Sequence, residues 1–193
     1  MIDPAEASLQ FDAAFAARAP AGLGVRPESD ADFGFLRALF LASYPLRDLL
    51  PEPVLTQQVE LRLATFRQGF PEAMRRVVVG LDGPIGRIIV DWRHPAGPYC
   101  ADIAVTPADG GRGVGTALLR AWIEVAEAHG LACSLTVMAD NPARRLYARL
   151  GFQETPGELG VPGEVGVAMV RPPSPEGARG NPPGETLGGC HRH

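Results

Sequence analysis

The sequence contains no lysine, because all 18 of its basic residues are arginine. A P-loop nucleotide site needs a lysine on the phosphates, a pyridoxal enzyme needs one for its Schiff base, and a protein kinase needs one to hold ATP. The sequence therefore excludes these three classes of enzyme.

Cysteine, net charge and long apolar runs are also scarce. Cys100, Cys133 and Cys190 form no CxxC pair, which predicts neither a disulfide framework nor a zinc site and favours a reducing compartment. A net charge of −4 argues against nucleic-acid binding. No apolar run approaches the roughly 20 residues that span a bilayer, and the first residues lack the features of a signal peptide. We expect a cytoplasmic protein with neither membrane nor nucleic-acid partners.

Composition predicts one folded domain with two appendages. A chain of 193 residues, 46% of them hydrophobic, suits a single packed core, which we place at residues 22–171. Residues 1–21 form an alanine-rich N-terminal extension, either helical or a cap. Residues 172–193 are rich in proline and glycine and are predicted to be a disordered tail. Cys190, His191 and His193 lie in that tail, where no second shell would support a metal, so we expect no bound metal.

Turn residues and apolar spacing predict the order βααβββαβαβ in the domain. Hairpins come first and a strand–helix–strand crossover follows, which predicts an α/β (mixed α+β) sheet with helices on its faces. The first helix is capped by Ser29 or Asp30 and ends before Pro45. The strands are predicted at 22–26, 76–81, 85–92, 99–105, 134–138 and 165–170, and the later helices at 54–70, 116–129 and 142–150.

A glycine-rich loop, GGRGVGT, follows the strand at 99–105 and leads into a helix. Successive glycines allow a tight turn that exposes backbone N–H groups beside the positive end of the helix. The loop therefore predicts an anion site, best suited to a pyrophosphate, with Arg112 adding charge. A Rossmann dinucleotide site is disfavoured because the glycine spacing differs and the loop lies in mid-chain. The site comprises Gly110, Gly111, Arg112, Gly113, Val114, Gly115 and Thr116.

The segment NPARRLYARLGF at 141–152 follows the next strand. With the glycine loop before it, it resembles the GCN5-related N-acetyltransferase (GNAT) superfamily over residues 22–171, most strongly over 102–152. The resemblance implies a GNAT-type fold, whose mixed, mostly antiparallel sheet is splayed between strands 4 and 5 and flanked by helices. It also implies acetyl-CoA as co-substrate, an amine acceptor and a homodimer. One departure is Gly110, where the family pattern has glutamine or arginine.

The resemblance also implies roles for particular residues. The glycine loop matches the one that binds the CoA pyrophosphate, and Arg144 is placed to reach the CoA phosphates. Asn141 matches an asparagine beside the pantetheine arm. Tyr147 matches the tyrosine that serves as general acid near the thioester sulfur, and a phenol with a pKa of about 10 suits a thiol leaving group of about 8–9. The strand that pairs with the pantetheine amides matches Ile103, Ala104 and Val105.

Several groups are candidates for the general base. Asp102 lies within an apolar strand, where a carboxylate is costly unless it is paired or functional. It is either the base or a salt-bridge partner of an arginine such as Arg87. His94 and a base that works through water are further alternatives.

These observations predict an N-acetyltransferase that moves acetyl from acetyl-CoA to a primary amine by direct attack in a ternary complex. Tyr147 is its general acid and Asp102 a candidate base. The alternative is a catalytically silent acyl-CoA-binding sensor or partner module. We expect residues 33–70 and the loop 92–98 to determine acceptor specificity, with Tyr44 and Trp92 as candidates to line the acceptor pocket.

Overall fold

A seven-stranded sheet lies at the centre of the computed structural model, in the order β1-β2-β3-β4-β5-β7-β6. The structure describes residues 2–42, 44, 48–157, 159 and 166–174. All strand pairs are antiparallel except β4 and β5, so the predicted mixed, mostly antiparallel sheet is confirmed. The strands are β1 (Gly24–Pro27), β2 (Met74–Gly80), β3 (Gly83–Asp91), β4 (Tyr99–Val105), β5 (Cys133–Val137), β6 (Gln153–Glu154) and β7 (Val167–Arg171). The helices are α1 (Pro4–Ala16), α2 (Phe33–Ala42), α3 (Glu52–Gly69), α4 (Val114–Ala128) and α5 (Arg144–Arg149).

The parallel strands β4 and β5 separate after a short contact. They pair only at Tyr99 with Ser134 and at Cys100 with Leu135. A bulge at Ala101 also shifts the register of β4 against β3. Beyond this point no strand among the described residues pairs with β4 on its β5 side, which leaves backbone groups available to another molecule. The predicted splay between the fourth and fifth strands is confirmed.

Helices α1 and α4 pack together on the main hydrophobic core. Phe11 and Phe15 of α1 are fully buried, and so is Trp122 of α4. Burial of each such side chain stabilises the fold by about 1.5–3 kcal/mol. An ion pair from Asp12 to Arg76, with an oxygen–nitrogen distance of 2.8 Å, also joins α1 to β2. The segment predicted as an extension or cap therefore contributes to the main core.

The ends of several elements differ from the sequence-based expectation. Helix α4 begins at Val114, before the predicted Thr116, because Gly113 adopts a left-handed conformation that lets the helix start directly after it. Helix α5 begins at Arg144, since the Asn141 side chain accepts a hydrogen bond from the Ala143 N–H and holds the preceding turn. Strand β6 was not predicted, because two exposed residues carry no periodic signal.

The boundaries of the two appendages stay predictions. Residues 175–193 of the predicted tail, with Cys190, His191 and His193, lie outside the described residues. No helix in the part of the chain that the structure describes is long and apolar enough to cross a membrane.

Candidate active site

A cavity of about 650 Å³ opens where β4 and β5 separate. One wall comes from β4, β5 and the start of α5, and the other comes from α2 and α3. The splay of the sheet therefore creates a cleft that reaches the middle of the protein. Its lining residues are Phe40, Tyr44, Gln58, Leu61, Arg62, Thr65, Cys100, Ala101, Asp102, Ile103, Ala104, Leu135, Thr136, Val137, Met138, Asn141 and Tyr147.

Tyr147 lines this cavity from α5. Its side chain is 7% exposed, and its ring packs edge-on against Phe152 at a centroid distance of 6.1 Å. Phe152 in turn stacks on Trp122 at 5.6 Å, so the ring of Tyr147 is supported by the core. Burial raises the pKa of the Tyr147 phenol, and the nearby Cys100 and Asp102 raise it further. The phenol therefore stays protonated at neutral pH, and it is a weaker acid than the ordinary tyrosine that the sequence-based comparison with a thiol assumed.

Asp102 also lines the cavity, and it is paired with Arg87. Its Oδ2 lies 3.5 Å from the Arg87 Nε, and its side chain is 24% exposed. Arg87 itself is buried, and its Nε lies 3.4 Å from a carboxylate oxygen of Glu28. The salt bridge considered from the sequence is therefore present, and it leaves the carboxylate in contact with the cavity.

The remaining candidates for base or nucleophile differ in position. His94 is not among the described residues that line the cavity; it stacks on Tyr99 at 4.7 Å, and burial lowers its pKa. Cys100 and Cys133 are buried, as expected for small core residues, and burial raises the pKa of both thiols, that of Cys133 to about 12. Neither thiol is therefore an activated nucleophile.

The glycine loop is exposed and follows β4 directly. Gly111 and Gly113 have φ angles of +74° and +84°, and a Cβ at either position would meet no atom within 4 Å. Gly115 packs beside Val105, so the loop adjoins the end of the strand that lines the cavity. Helix α4 starts at Val114, and the N–H groups of its first turn have no partner within the helix. This open loop fits a diphosphate that approaches the backbone closely.

Three of the polar side chains predicted beside the cofactor, those of Arg112, Asn141 and Arg144, already have partners within the protein. Arg112 forms an ion pair with Asp109, three residues earlier. Arg144 forms an ion pair with Glu154 and donates a hydrogen bond to the Ala139 carbonyl. Either arginine would have to leave its carboxylate to contact a phosphate. Asn141 lines the cavity, and its side-chain oxygen accepts a hydrogen bond from the Ala143 N–H in the turn before α5.

The wall formed by α2 and α3 is the one that we expected to contact the acceptor, and the sequence predicted only some of its lining residues. Tyr44 lines the cavity as expected. The prediction for Trp92 is wrong, because its side chain is 2% exposed and packs into the core shared by α1 and α4. Gln58 and Arg62 line the cavity and were not singled out as site residues. Their spacing along α3 was the available signal, since residues four apart lie on one face of a helix.

The fold is similar to that of acetyltransferases of known structure. A histone acetyltransferase HPA2-related protein from Corynebacterium glutamicum shares 24% identity at a TM-score of 0.56, over 79% of this chain and 97% of that one. The PaiA N-acetyltransferase from Thermoplasma acidophilum, solved with coenzyme A, shares 15% sequence identity at a TM-score of 0.57. The match covers 78% of this chain and 98% of that one. The ribosomal-protein-S18-alanine N-acetyltransferase from Escherichia coli shares 19% sequence identity at a TM-score of 0.54. The match covers 86% of this chain and 98% of that one. These likenesses define the fold as that of the GNAT type.

The sequence itself supports the same class. Residues 36–152 match the model of the acetyltransferase (GNAT) family, a span that includes β4, the glycine loop and Tyr147. The chain therefore belongs to the acetyltransferase (GNAT) family and is an acyltransferase. No curated protein matches the sequence significantly.

Proposed function

We propose that this protein is an N-acetyltransferase that transfers acetyl from acetyl-CoA to a primary amine by direct attack in a ternary complex. The observation that carries the proposal is the cavity at the β4–β5 splay, which Tyr147 lines and whose β4 wall leads to the glycine loop. Acetyl-CoA supplies the acetyl group as a thioester.

Two regions of the protein bind two different parts of acetyl-CoA. The N–H groups of the glycine loop and of the first turn of α4 bind the diphosphate. The unpaired edge of β4 at Ile103 and Ala104 offers backbone donors and acceptors to the amides of the pantetheine arm. Both parts use main-chain atoms, so the departure from the family pattern at Gly110 leaves binding intact.

Two side chains move the protons of the reaction. Asp102 accepts a proton from the acceptor ammonium, directly or through water, so that the free amine attacks the acetyl carbon. The new N–C bond forms as the C–S bond breaks, and Tyr147 donates its proton to the departing thiolate. The second proton, which the nitrogen loses as it becomes an amide, returns to the Tyr147 phenolate, and Asp102 releases its proton to water. Backbone N–H groups at the separated edge of β4 stabilise the charge that develops on the acetyl oxygen.

The test combines binding with turnover. CoA and acetyl-CoA should raise the melting temperature of the protein. Release of thiol from acetyl-CoA should depend on an added amine, with the acetylated amine identified by mass spectrometry. Protection by CoA without amine-dependent thiol release across a broad panel would favour the silent acyl-CoA-binding module instead. The homodimer and the cytoplasmic location stay predictions.

A further inference from the structure

Helix α3 presents a row of polar side chains to the cavity. Gln58, Arg62 and Thr65 all line it, at spacings that place them on one face of the helix. The Thr65 hydroxyl is used within the helix, since it donates to the Leu61 carbonyl at 2.8 Å. The neighbouring face, with Val59 among its buried residues, packs into the protein. The polar row is therefore the side of α3 that an acceptor molecule would meet.

Arg62 is the cation of this row, and it lacks an anionic partner among the described residues. Its guanidinium carbon lies 4.3 Å from the centre of the Phe66 ring, a stacking that leaves the N–H groups at its edge available. No described carboxylate lies within salt-bridge distance of it, whereas Arg37 and Arg67 nearby pair with Glu52 and Asp30. Because it lies beside the cavity with no described carboxylate as partner, this part-buried guanidinium is placed to pair with an anionic group of a ligand.

Asp102 provides the opposite charge in the same cavity. Arg62 and Asp102 are the charged side chains among the described residues that line it. Both also border a smaller adjoining recess of about 60 Å³, so the two groups lie near one another, and Arg87, which pairs with Asp102, borders the same recess. A cavity with one cation and one anion at short range is complementary to a small zwitterion.

We propose that the acceptor amine also carries a carboxylate, as an amino acid does, and that Arg62 binds this carboxylate while the amine lies at Asp102. The proposal rests on the proposed function. The planar guanidinium of arginine matches a carboxylate with two parallel hydrogen bonds. Leu61 and Met138 line the same cavity and are 61% and 53% exposed, which suits an apolar side chain on the acceptor. Polyamines and the N-termini of peptides lack a carboxylate next to the amine.

The experiment compares matched acceptors. Leucine and phenylalanine are tested against leucinamide and phenylalaninamide, and against the decarboxylated amines isoamylamine and phenethylamine. The wild-type protein should use the amino acids with a kcat/KM at least about tenfold above that of the amides, the scale of one charged hydrogen-bonded contact. Amides or decarboxylated amines used equally well would overturn the proposal.

Substitution of Arg62 assigns the preference to this side chain. Arg62→Gln should lower kcat/KM for the amino acids about tenfold and leave the amides within about twofold, and Arg62→Lys should restore part of the loss. The matched control is Arg67→Gln on the same helix, whose side chain is 56% exposed and lies outside the cavity lining. An amino-acid preference that survives in Arg62→Gln would overturn the assignment.

A binding measurement separates this inference from the proposed function. In the presence of saturating CoA, N-acetylleucine should raise the melting temperature of the wild-type protein, and N-acetylleucinamide should not. The Arg62→Gln variant should lose the response to N-acetylleucine. Equal responses to the acid and the amide would overturn the inference even if acetyl transfer to other amines is found. Absence of thiol release with every amine would contradict the proposed function, while this binding result would still decide the role of Arg62.

Discussion

The two walls of the cavity offer different kinds of groups to a ligand. The wall formed by β4 and the adjoining glycine loop offers backbone groups, exposed by the splay of the sheet and by the left-handed Gly111 and Gly113. The α3 wall offers the side chains of Gln58 and Arg62. Under the proposed function, recognition of the donor therefore depends on backbone conformation, and recognition of the acceptor depends on side-chain identity. Substitutions on one wall should leave binding at the other unchanged.

The largest effect is expected at Tyr147, which lines the cavity from α5. Tyr147→Phe keeps the ring packed on Phe152 but removes the acid, so kcat should fall by about 100- to 1,000-fold while the KM for acetyl-CoA changes little. Because burial raises the pKa of this phenol above its ordinary value of about 10, its deprotonation should not reduce kcat between pH 7 and about pH 9. Steady-state kinetics over this range check both statements.

A second buried tyrosine provides the control for this variant. Tyr99 is fully buried in β4 and is not among the described residues that line the cavity. Tyr99→Phe should therefore leave kcat within about twofold, whatever it does to stability. An unchanged kcat in Tyr147→Phe with the true acceptor would remove Tyr147 from the mechanism.

Asp102→Asn should have the next largest effect, a loss of about 100-fold in kcat/KM for the acceptor. The amide preserves the shape of the side chain, and Arg87 keeps its contact with Glu28 at 3.4 Å, so the fold should persist. Steady-state kinetics with varied acceptor at saturating acetyl-CoA check this loss. An unchanged kcat/KM in the variant would leave Asp102 as a structural partner of Arg87 only.

Gly113→Ala tests only the wall formed by β4 and the glycine loop, which binds the donor in the proposed function. A residue with a side chain at a φ of +84° is strained by about 1–2 kcal/mol, so the free loop of the variant should relax to another conformation. CoA binding then has to restore the original one, so the Kd for CoA should rise about tenfold with no change in acceptor preference. Gly22→Ala is a matched control, because Gly22 has a φ of +82° and equally open surroundings but lies in the turn before β1. It should destabilise the protein to a similar extent and leave CoA affinity unchanged, as measured by calorimetry.

The same contrast explains how much of the molecule could be predicted from its sequence. The order of the elements followed from turn residues and apolar spacing, because each such signal is local. The glycine loop and Tyr147 were found because they lie in continuous motifs. The starts of α4 and α5 each differ from the prediction by two residues, since the left-handed Gly113 and the turn held by the Asn141 side chain are local conformations that spacing does not encode.

The acceptor wall was less predictable because it depends on tertiary placement. Arg62 follows Glu60 and Leu61 in the chain, where nothing local distinguishes it from a solvated arginine. Its significance arises only when α3 packs over the sheet and brings it beside the same recess as Asp102. Trp92 illustrates the converse, since the sequence predicted it near the acceptor, and in the structure it lies in the turn directly after β3 with its side chain in the core.

The smallest effect is expected at Gln58, one helical turn before Arg62 on the acceptor wall. Its side-chain amide lines the cavity, so Gln58→Ala should raise the acceptor KM about threefold, the scale of one neutral hydrogen bond, and leave the KM for acetyl-CoA unchanged. Gln57 supplies the control, because it is the adjacent glutamine of the same helix and is exposed outside the cavity lining. Gln57→Ala should leave both constants unchanged. A rise in the KM for acetyl-CoA alone would show that α3 contacts the donor, and the division between the two walls would be wrong.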